Sequence, residues 1–310
     1  LQKSGLPMQD VAAISGSAQQ HGSVYLKSDV SPLKEGVSLA EQFRGRFSRR
    51  TSPIWLDRST SVECGELDSE FGDRLQFDTG SPAIERFTGP QIRRFFKNSP
   101  GEFADTRRIF LVSSFCCSVL CGRTAPVDYG DGAGMNLLNL HTLQWDRPIA
   151  NFIAPGLLGK LPRAVPSNTV AGGLDPYFAR YGLRPGIPVV VWSGDNPNSL
   201  IGIGAFEPGV AGVSLGTSDT FFAPLRKYVV DPEGCGHIFG NPAGGFMSLT
   251  CFSNGSFARE IIKERIGCDW TYFGKTALEE TRPGNDGRLM LPYFGPESTP
   301  LVLAPGVRLN

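Results

Sequence analysis

A chain of 310 residues with 40 % hydrophobic and 10 % aromatic side chains can bury a sizeable core, and its length favours two domains over one. Thirty basic residues balance thirty acidic ones, so the charge gives no footprint for a nucleic acid or a membrane surface. With 38 glycines and 24 prolines the chain is rich in turns and is not a helical bundle.

Val11 to Gly16 reads as a short buried strand ending in a Gly/Ser turn, with Val24-Tyr25-Leu26 as its return. Between them stands "SAQQHG". Residues 27–53 are polar and irregular, and Ser52 to Asp57 reads as a second strand-like piece. Residues 90–97 and 102–121 are expected to be helical. In the second stretch Ile109, Val112, Phe115, Cys116, Val119 and Leu120 keep helical spacing, and Gly122 suits a C-cap. The apolar run Ile109 to Leu120 is interrupted by serines and is too short to span a bilayer. "DYGDGAGMNLLNL" (128–140) is an Asp/Gly turn leading into a short helix, and residues 155–168 form a Pro-rich loop.

Ile187 to Val191 reads as a buried strand, followed directly by "WSGDNPNSLIG" (192–202). The pattern breaks at "GAFEPGVAG" (204–212), the best place for a domain boundary. Beyond it, residues 212–223 read as strand, tight turn, strand; "HIFGN" and "FMSLTCF" read as two more strands. From Ser256 to Ile266 the apolar Phe257, Ile261, Ile262 and Ile266 alternate with Arg259, Glu260, Lys263 and Glu264. That is an amphipathic helix ended by Gly267. Strands and helices mix in both halves, so the fold class is α/β.

Four stretches could carry chemistry, and each has a plainer alternative. Asp195-Asn196 puts a carboxylate and an amide at a strand end, where a base for a hydroxyl could stand; taken alone, the tetrapeptide favours an ordinary Asx turn before Pro197. Gly216-Thr217-Ser218 offers backbone N–H groups and hydroxyls that suit phosphate oxygens, or simply closes a hairpin. Gln20 and His21 could bind a hydroxylated ligand or sit in a surface turn. Trp55, Asp57 and Asp131 supply an aromatic face and carboxylates, or a core tryptophan and a helix cap. Neither a P-loop, a dinucleotide-binding glycine fingerprint nor a G-x-S-x-G elbow occurs. The seven cysteines include no Cys-x-x-Cys pair and read as the reduced thiols of a cytosolic protein. No two histidines share metal-ligand spacing.

Taken in order, "ISGSAQQHGSVYL", "SPIWLDRST", "ERFTGPQI", "DYGDGAGMNLL", "SGDNPNSLIG" and "VSLGTSDTFF" resemble the FGGY family of carbohydrate kinases, nearest the branch that acts on D-xylulose. The resemblance runs over nearly the whole chain. It implies two ribonuclease-H-like domains, as in hexokinase and actin, with the active-site cleft between them. Residues 1–208 would form the sugar-binding domain and 209–310 the start of the ATP-binding domain. The reaction implied is ATP-dependent phosphorylation of D-xylulose to D-xylulose 5-phosphate, with Mg²⁺ bridging the phosphates.

Also by resemblance, Asp195 is the general base. Gln20, His21, Arg86 and Asn196 contact the sugar; Gly216, Thr217 and Ser218 lie along the ATP phosphates; and Trp270 contacts the nucleotide. No residue is expected to bind metal by itself. The resemblance further implies a cytoplasmic monomer or homodimer of pentose phosphate metabolism, with no nucleic-acid or membrane partner. Ribulose, fuculose or glycerol remain alternative substrates, as does a non-catalytic sugar-binding role. The family's phosphate-gripping hairpin would precede Leu1 and its adenosine-holding Gly-Gly motif would follow Asn310, so both domains are expected to be incomplete here and the chain to be inactive alone.

Overall fold

The computed structural model describes residues 5–309. Its architecture is mixed α/β, and the organising feature for the site is a pair of parallel strands. Ser17–Ala18 runs beside Ser193–Gly194, with Ser17 opposite Ser193 and Ala18 opposite Gly194. Upstream on the same two segments, Ile14 bridges Val189. The expected strand at 11–16 is thus reduced to that bridge, and the regular pairing is shifted to residues 17–18. Pro188–Val190 extends the array by pairing antiparallel with Val170–Gly173, and Val127–Asp128 pairs parallel with Ala164–Val165.

The strand Ser23–Leu26 forms as expected, but its partner is Arg108–Leu111, antiparallel, and not the segment before it. Alternation explains why both strands read as continuous apolar runs. Tyr25, Ile109 and Leu111 enter one core; Val24, Leu26 and Phe110 enter another on the opposite face. The expected helix over 102–121 is therefore three elements: a helix Pro100–Asp105, the strand Arg108–Leu111 and a helix Val112–Cys121. A run apolar on all sides fits either period, and only the pairing partner decides. Gly122 does end the last helix, at φ 58°.

Ser52 to Asp57 is a turn, closed by the Asp57 N–H on the Ile54 carbonyl at 2.9 Å, and Ile54, Trp55 and Leu56 stay exposed. Helices Ser61–Phe71 and Asp73–Thr79 escape the sequence reading because each buries few apolar side chains. The helix Thr88–Asn98 covers the expected 90–97.

Residues 212–252 form a four-stranded antiparallel sheet in the order Gly212–Leu215, Asp219–Leu225, Phe246–Phe252, Gly236–Gly240. The sheet shares a core with what precedes it. Phe222, Ile238, Phe239, Met247 and Leu249 pack with Phe87, Ala133, Leu138, Leu140, Leu200 and Ala205. The helix Ser256–Ile266 follows as expected, ended by Gly267 at φ 74°. From there to residue 309 little is enclosed: Ile266, Leu278, Leu289, Leu301, Leu303 and Leu309 are all exposed. No helix among the described residues is long and apolar enough to cross a membrane.

Candidate active site

Parallel strands end side by side, so the loops that leave their carboxyl ends meet. Here the strand Ser17–Ala18 delivers Gln20 and His21, and Ser193–Gly194 delivers Asp195 and Asn196. Two motifs separated by more than half the chain thereby become neighbours. The Asn196 amide donates to Gln20 Oε1 at 3.0 Å and to Asp195 Oδ1 at 3.2 Å. Asp195 Oδ1 also accepts the Asn196 backbone N–H at 2.9 Å. The "SGDN" segment is not an isolated Asx turn. Asp195 opens the helix Asp195–Gly202, where a carboxylate suits the positive helix end. Solvent reaches the carboxylate, yet the protein around it removes part of its hydration. Burial pushes its pKa up, opposed by hydrogen bonds from Asn196 and the Gln20 backbone.

His21 is buried and holds φ 67°, a left-handed conformation that a histidine adopts only when its surroundings fix it. The surroundings are specific. Its ring stacks on Phe87 at 4.4 Å, its Nδ1–H donates to the Gly134 carbonyl at 3.0 Å, and its own carbonyl accepts from Thr88 Oγ1 at 3.3 Å. That tautomer leaves Nε2 as a bare acceptor. Burial, with help from the nearby Arg86 charge, holds its pKa well below the usual histidine value. The contacts to Phe87 and Thr88 draw the "ERFTG" segment against "QQHG", and Arg86 arrives with it. Burial lowers the Arg86 pKa, and its Nη2 lies 3.4 Å from Nε2 of His237.

Two further polar residues at this site, Asp131 and His237, have no assigned role in the sequence reading. Asp131 was visible only as a loop carboxylate, with helix capping as the alternative. The structure gives that capping to Asp128, which accepts from the Gly130 and Asp131 N–H groups at 3.1 and 2.9 Å. Asp131 itself is fully buried; Ser113 Oγ donates to its Oδ2 at 2.5 Å, while Oδ1 has no partner among the described residues. Burial, then the Asp128 charge, pushes its pKa well above the carboxylate range. The second is His237, whose only sequence signal was a place in the strand "HIFGN". Trp55 and Asp57 join neither: Trp55 is exposed and Asp57 Oδ1 accepts the Ser59 N–H at 2.8 Å within its own turn.

Gly194 shows how tightly this centre is built. A Cβ there would lie 2.3 Å from Gln20 Cγ, 2.9 Å from Gln20 Cδ and 3.0 Å from Asp131 Oδ1. Gln20 and Asp131 cross directly over the backbone that positions Asp195.

The turn Gly216-Thr217-Ser218 joins the first two strands of the four-stranded sheet, as expected, and is open to solvent. Its carbonyls are occupied from behind. Gly216 O accepts the Ser256 N–H at 2.8 Å and Thr217 O the Phe257 N–H at 3.3 Å. The following helix thus uses its first N–H groups on the turn. Arg259 of the same helix clamps Asp219, next to the turn, with bonds of 2.9 and 3.1 Å. Trp270 does not close the helix Ser256–Ile266 but opens the next, Trp270–Glu279. Its ring is half-exposed beneath the Lys263 ammonium at 5.0 Å.

Residues 50–202 match the model of the N-terminal domain of the FGGY family of carbohydrate kinases. Residues 50–202 thus belong to the FGGY family of carbohydrate kinases. Among curated FGGY proteins, the xylulose kinase of Rattus norvegicus is 43 % identical over 313 residues, covering 98 % of this chain and 58 % of the relative. Xylulose kinase 2 of Arabidopsis thaliana is 40 % identical, covering 94 % of this chain and 53 % of the relative. The chain spans about half the length of the curated relatives it matches.

Among solved structures, a "xyloylose kinase" of Brucella ovis superposes with a TM-score of 0.80 at 26 % identity, over 96 % of this chain and 58 % of that one. Plasmodium falciparum glycerol kinase with ADP gives a TM-score of 0.75 at 16 % identity, over 95 % and 57 %, a likeness of fold alone. The mixed α/β architecture is accordingly the ribonuclease-H-like fold of FGGY sugar kinases.

Proposed function

We propose that the chain carries the sugar side and part of the nucleotide side of an ATP-dependent kinase that makes D-xylulose 5-phosphate from D-xylulose. The observation that carries the reading is the solvent-open Asp195 carboxylate beside Gln20, His21 and Asn196 at the ends of two parallel strands. Residues 1–208 supply the sugar-binding domain and 209–310 begin the ATP-binding one. The names of the relatives, xylulose kinases of animal and plant, support the choice of sugar.

In this reading Asn196 occupies Asp195 Oδ1, and the other carboxylate oxygen takes the proton from the C5 hydroxyl as that oxygen bonds to the γ-phosphorus and ADP departs. The raised pKa makes Asp195 a stronger base than an ordinary aspartate. His21 Nε2 accepts from one sugar hydroxyl, and Gln20, Asn196 and Arg86 hold others. The hydroxyls of Thr217 and Ser218 and the Gly216 backbone lie along the phosphates, and Trp270 faces the nucleotide base. Among the described residues no group of three or more His, Cys, Asp or Glu side chains could hold a metal ion. Mg²⁺ is assigned to the phosphates of the donor, as in the family this sequence resembles, and no step is assigned to a protein-held ion. The reduced-thiol reading of the cysteines supports a cytoplasmic location.

The test is ADP release by the intact protein with D-xylulose, ribulose, fuculose and glycerol, beside its Asp195→Asn variant. D-Xylulose should give the highest kcat/KM. The variant should bind sugar with parental affinity and lose turnover by about 10²- to 10⁴-fold. Parental turnover by Asp195→Asn, or a preference for another substrate, refutes the assignment concerned.

A further inference from the structure

Arg86 is a cation without an ion-pair partner among the described residues, and the only hydrogen bond of its side chain there is to His237. A guanidinium can only donate, so His237 Nε2 is the acceptor, and the ring is neutral with its proton on Nδ1. Burial, followed by the Arg86 charge, favours that neutral form and lowers the His237 pKa to about 3. The ring is nearly enclosed, with Phe87 at 5.6 Å and Phe239 at 6.2 Å, and its Nδ1 has no partner among the described residues. An unpartnered buried N–H is expensive, so packing alone would have favoured an apolar side chain at this position.

We propose that His237 is a positioning residue of the sugar site: its Nε2 anchors the Arg86 guanidinium and aims the remaining N–H groups at the sugar. The proposal rests on the reading of Arg86 as a sugar contact. A neutral imidazole suits the task better than a carboxylate. It takes one of the five N–H donors and leaves the others and the charge available, whereas a carboxylate would engage two and neutralise the cation. His237 stands on Gly236–Gly240, in the same sheet whose first hairpin carries Gly216-Thr217-Ser218. The sheet assigned to the nucleotide thus reaches back to set a residue assigned to the sugar.

The test uses the intact protein with His237→Phe, His237→Gln and Arg86→Lys, reading KM for D-xylulose and for ATP, kcat, sugar affinity without ATP, and melting temperature. His237→Phe should raise the sugar KM about tenfold and leave the ATP KM within about twofold, since one hydrogen bond to a charged group is lost. His237→Gln restores an acceptor and should return the sugar KM to within about threefold of the parent. If His237→Phe does not fold, His237→Met against His237→Gln gives the same contrast of acceptor with no acceptor.

A parental sugar KM in the Phe or Met variant overturns the proposal. So does a Gln variant no better than the apolar one, because packing would then be the whole role. Arg86→Lys with an unchanged sugar KM shows that the underlying reading of Arg86 has failed, and the proposal falls with it.

Discussion

Replacing Gly194 by alanine isolates a steric requirement next to the proposed base. Gly194 holds φ −68° and ψ 161°, an extended conformation that alanine adopts freely. In open space the substitution would stabilise the fold by about 0.4–1 kcal/mol through the unfolded chain. Space is not open. The new Cβ would stand 2.3 Å from Gln20 Cγ, where carbon atoms normally keep about 3.5 Å or more. Gln20 is buried and hydrogen-bonded to Asn196, so it must retreat by about 1 Å and release that bond.

Overpacking of this kind costs about 1–3 kcal/mol and the lost bond about 1 more, which outweighs the backbone gain. A drop of a few degrees in Tm is expected for Gly194→Ala. Turnover should suffer more. A 1 Å misplacement beside the chemistry costs about 10²-fold. Thermal melts and steady-state kinetics on the intact protein read both quantities. Gly194→Ala/Gln20→Ala, which removes the obstructing side chain but does not restore its bond to Asn196, should recover part of the melting temperature but not kcat/KM. A Gly194→Ala variant with parental Tm and kcat/KM within about twofold of the parent would refute the steric account.

Two further outcomes follow from the site. The proposed base Asp195 would act only when deprotonated, and its pKa is raised, so kcat/KM should rise with pH through a limb above the ordinary aspartate value of about 3.9 and be lost as pH falls through it. A pH profile of kcat/KM for D-xylulose reads that limb directly. The Arg259 clamp on Asp219 steadies the turn proposed to lie along the phosphates. Arg259→Met should therefore raise the ATP KM several-fold and leave the sugar KM unchanged in steady-state assays. Its effect on Tm should be small, because a partly exposed ion pair contributes less than about 1 kcal/mol.

The elements legible in the sequence are those with one wet face. The amphipathic helix Ser256–Ile266 and the alternating strands of the four-stranded sheet each expose polar side chains, so their period shows. Arg108–Leu111 was read as helix because it is buried on both faces and has no polar side to set a period. Ser52 to Asp57 was read as strand from its apolar composition alone, and nothing local said that it would find no partner. The motifs "QQHG", "SGDN" and "GTS" were likewise readable as residue types suited to hydroxyls and phosphates.

By itself the sequence determined the α/β class, the order of those motifs and, through their ordered resemblance, the carbohydrate-kinase family. Their assembly was decided only in three dimensions. Parallel pairing of Ser17–Ala18 with Ser193–Gly194 sets Gln20 beside Asn196 and Asp195, and the stacking of Phe87 on His21 draws in Arg86. Asp131 and His237 gain their meaning only from burial: a carboxyl and an imidazole are ordinary in water. Enclosed by protein, each is pushed toward its neutral form, because desolvation penalises the charged form of each.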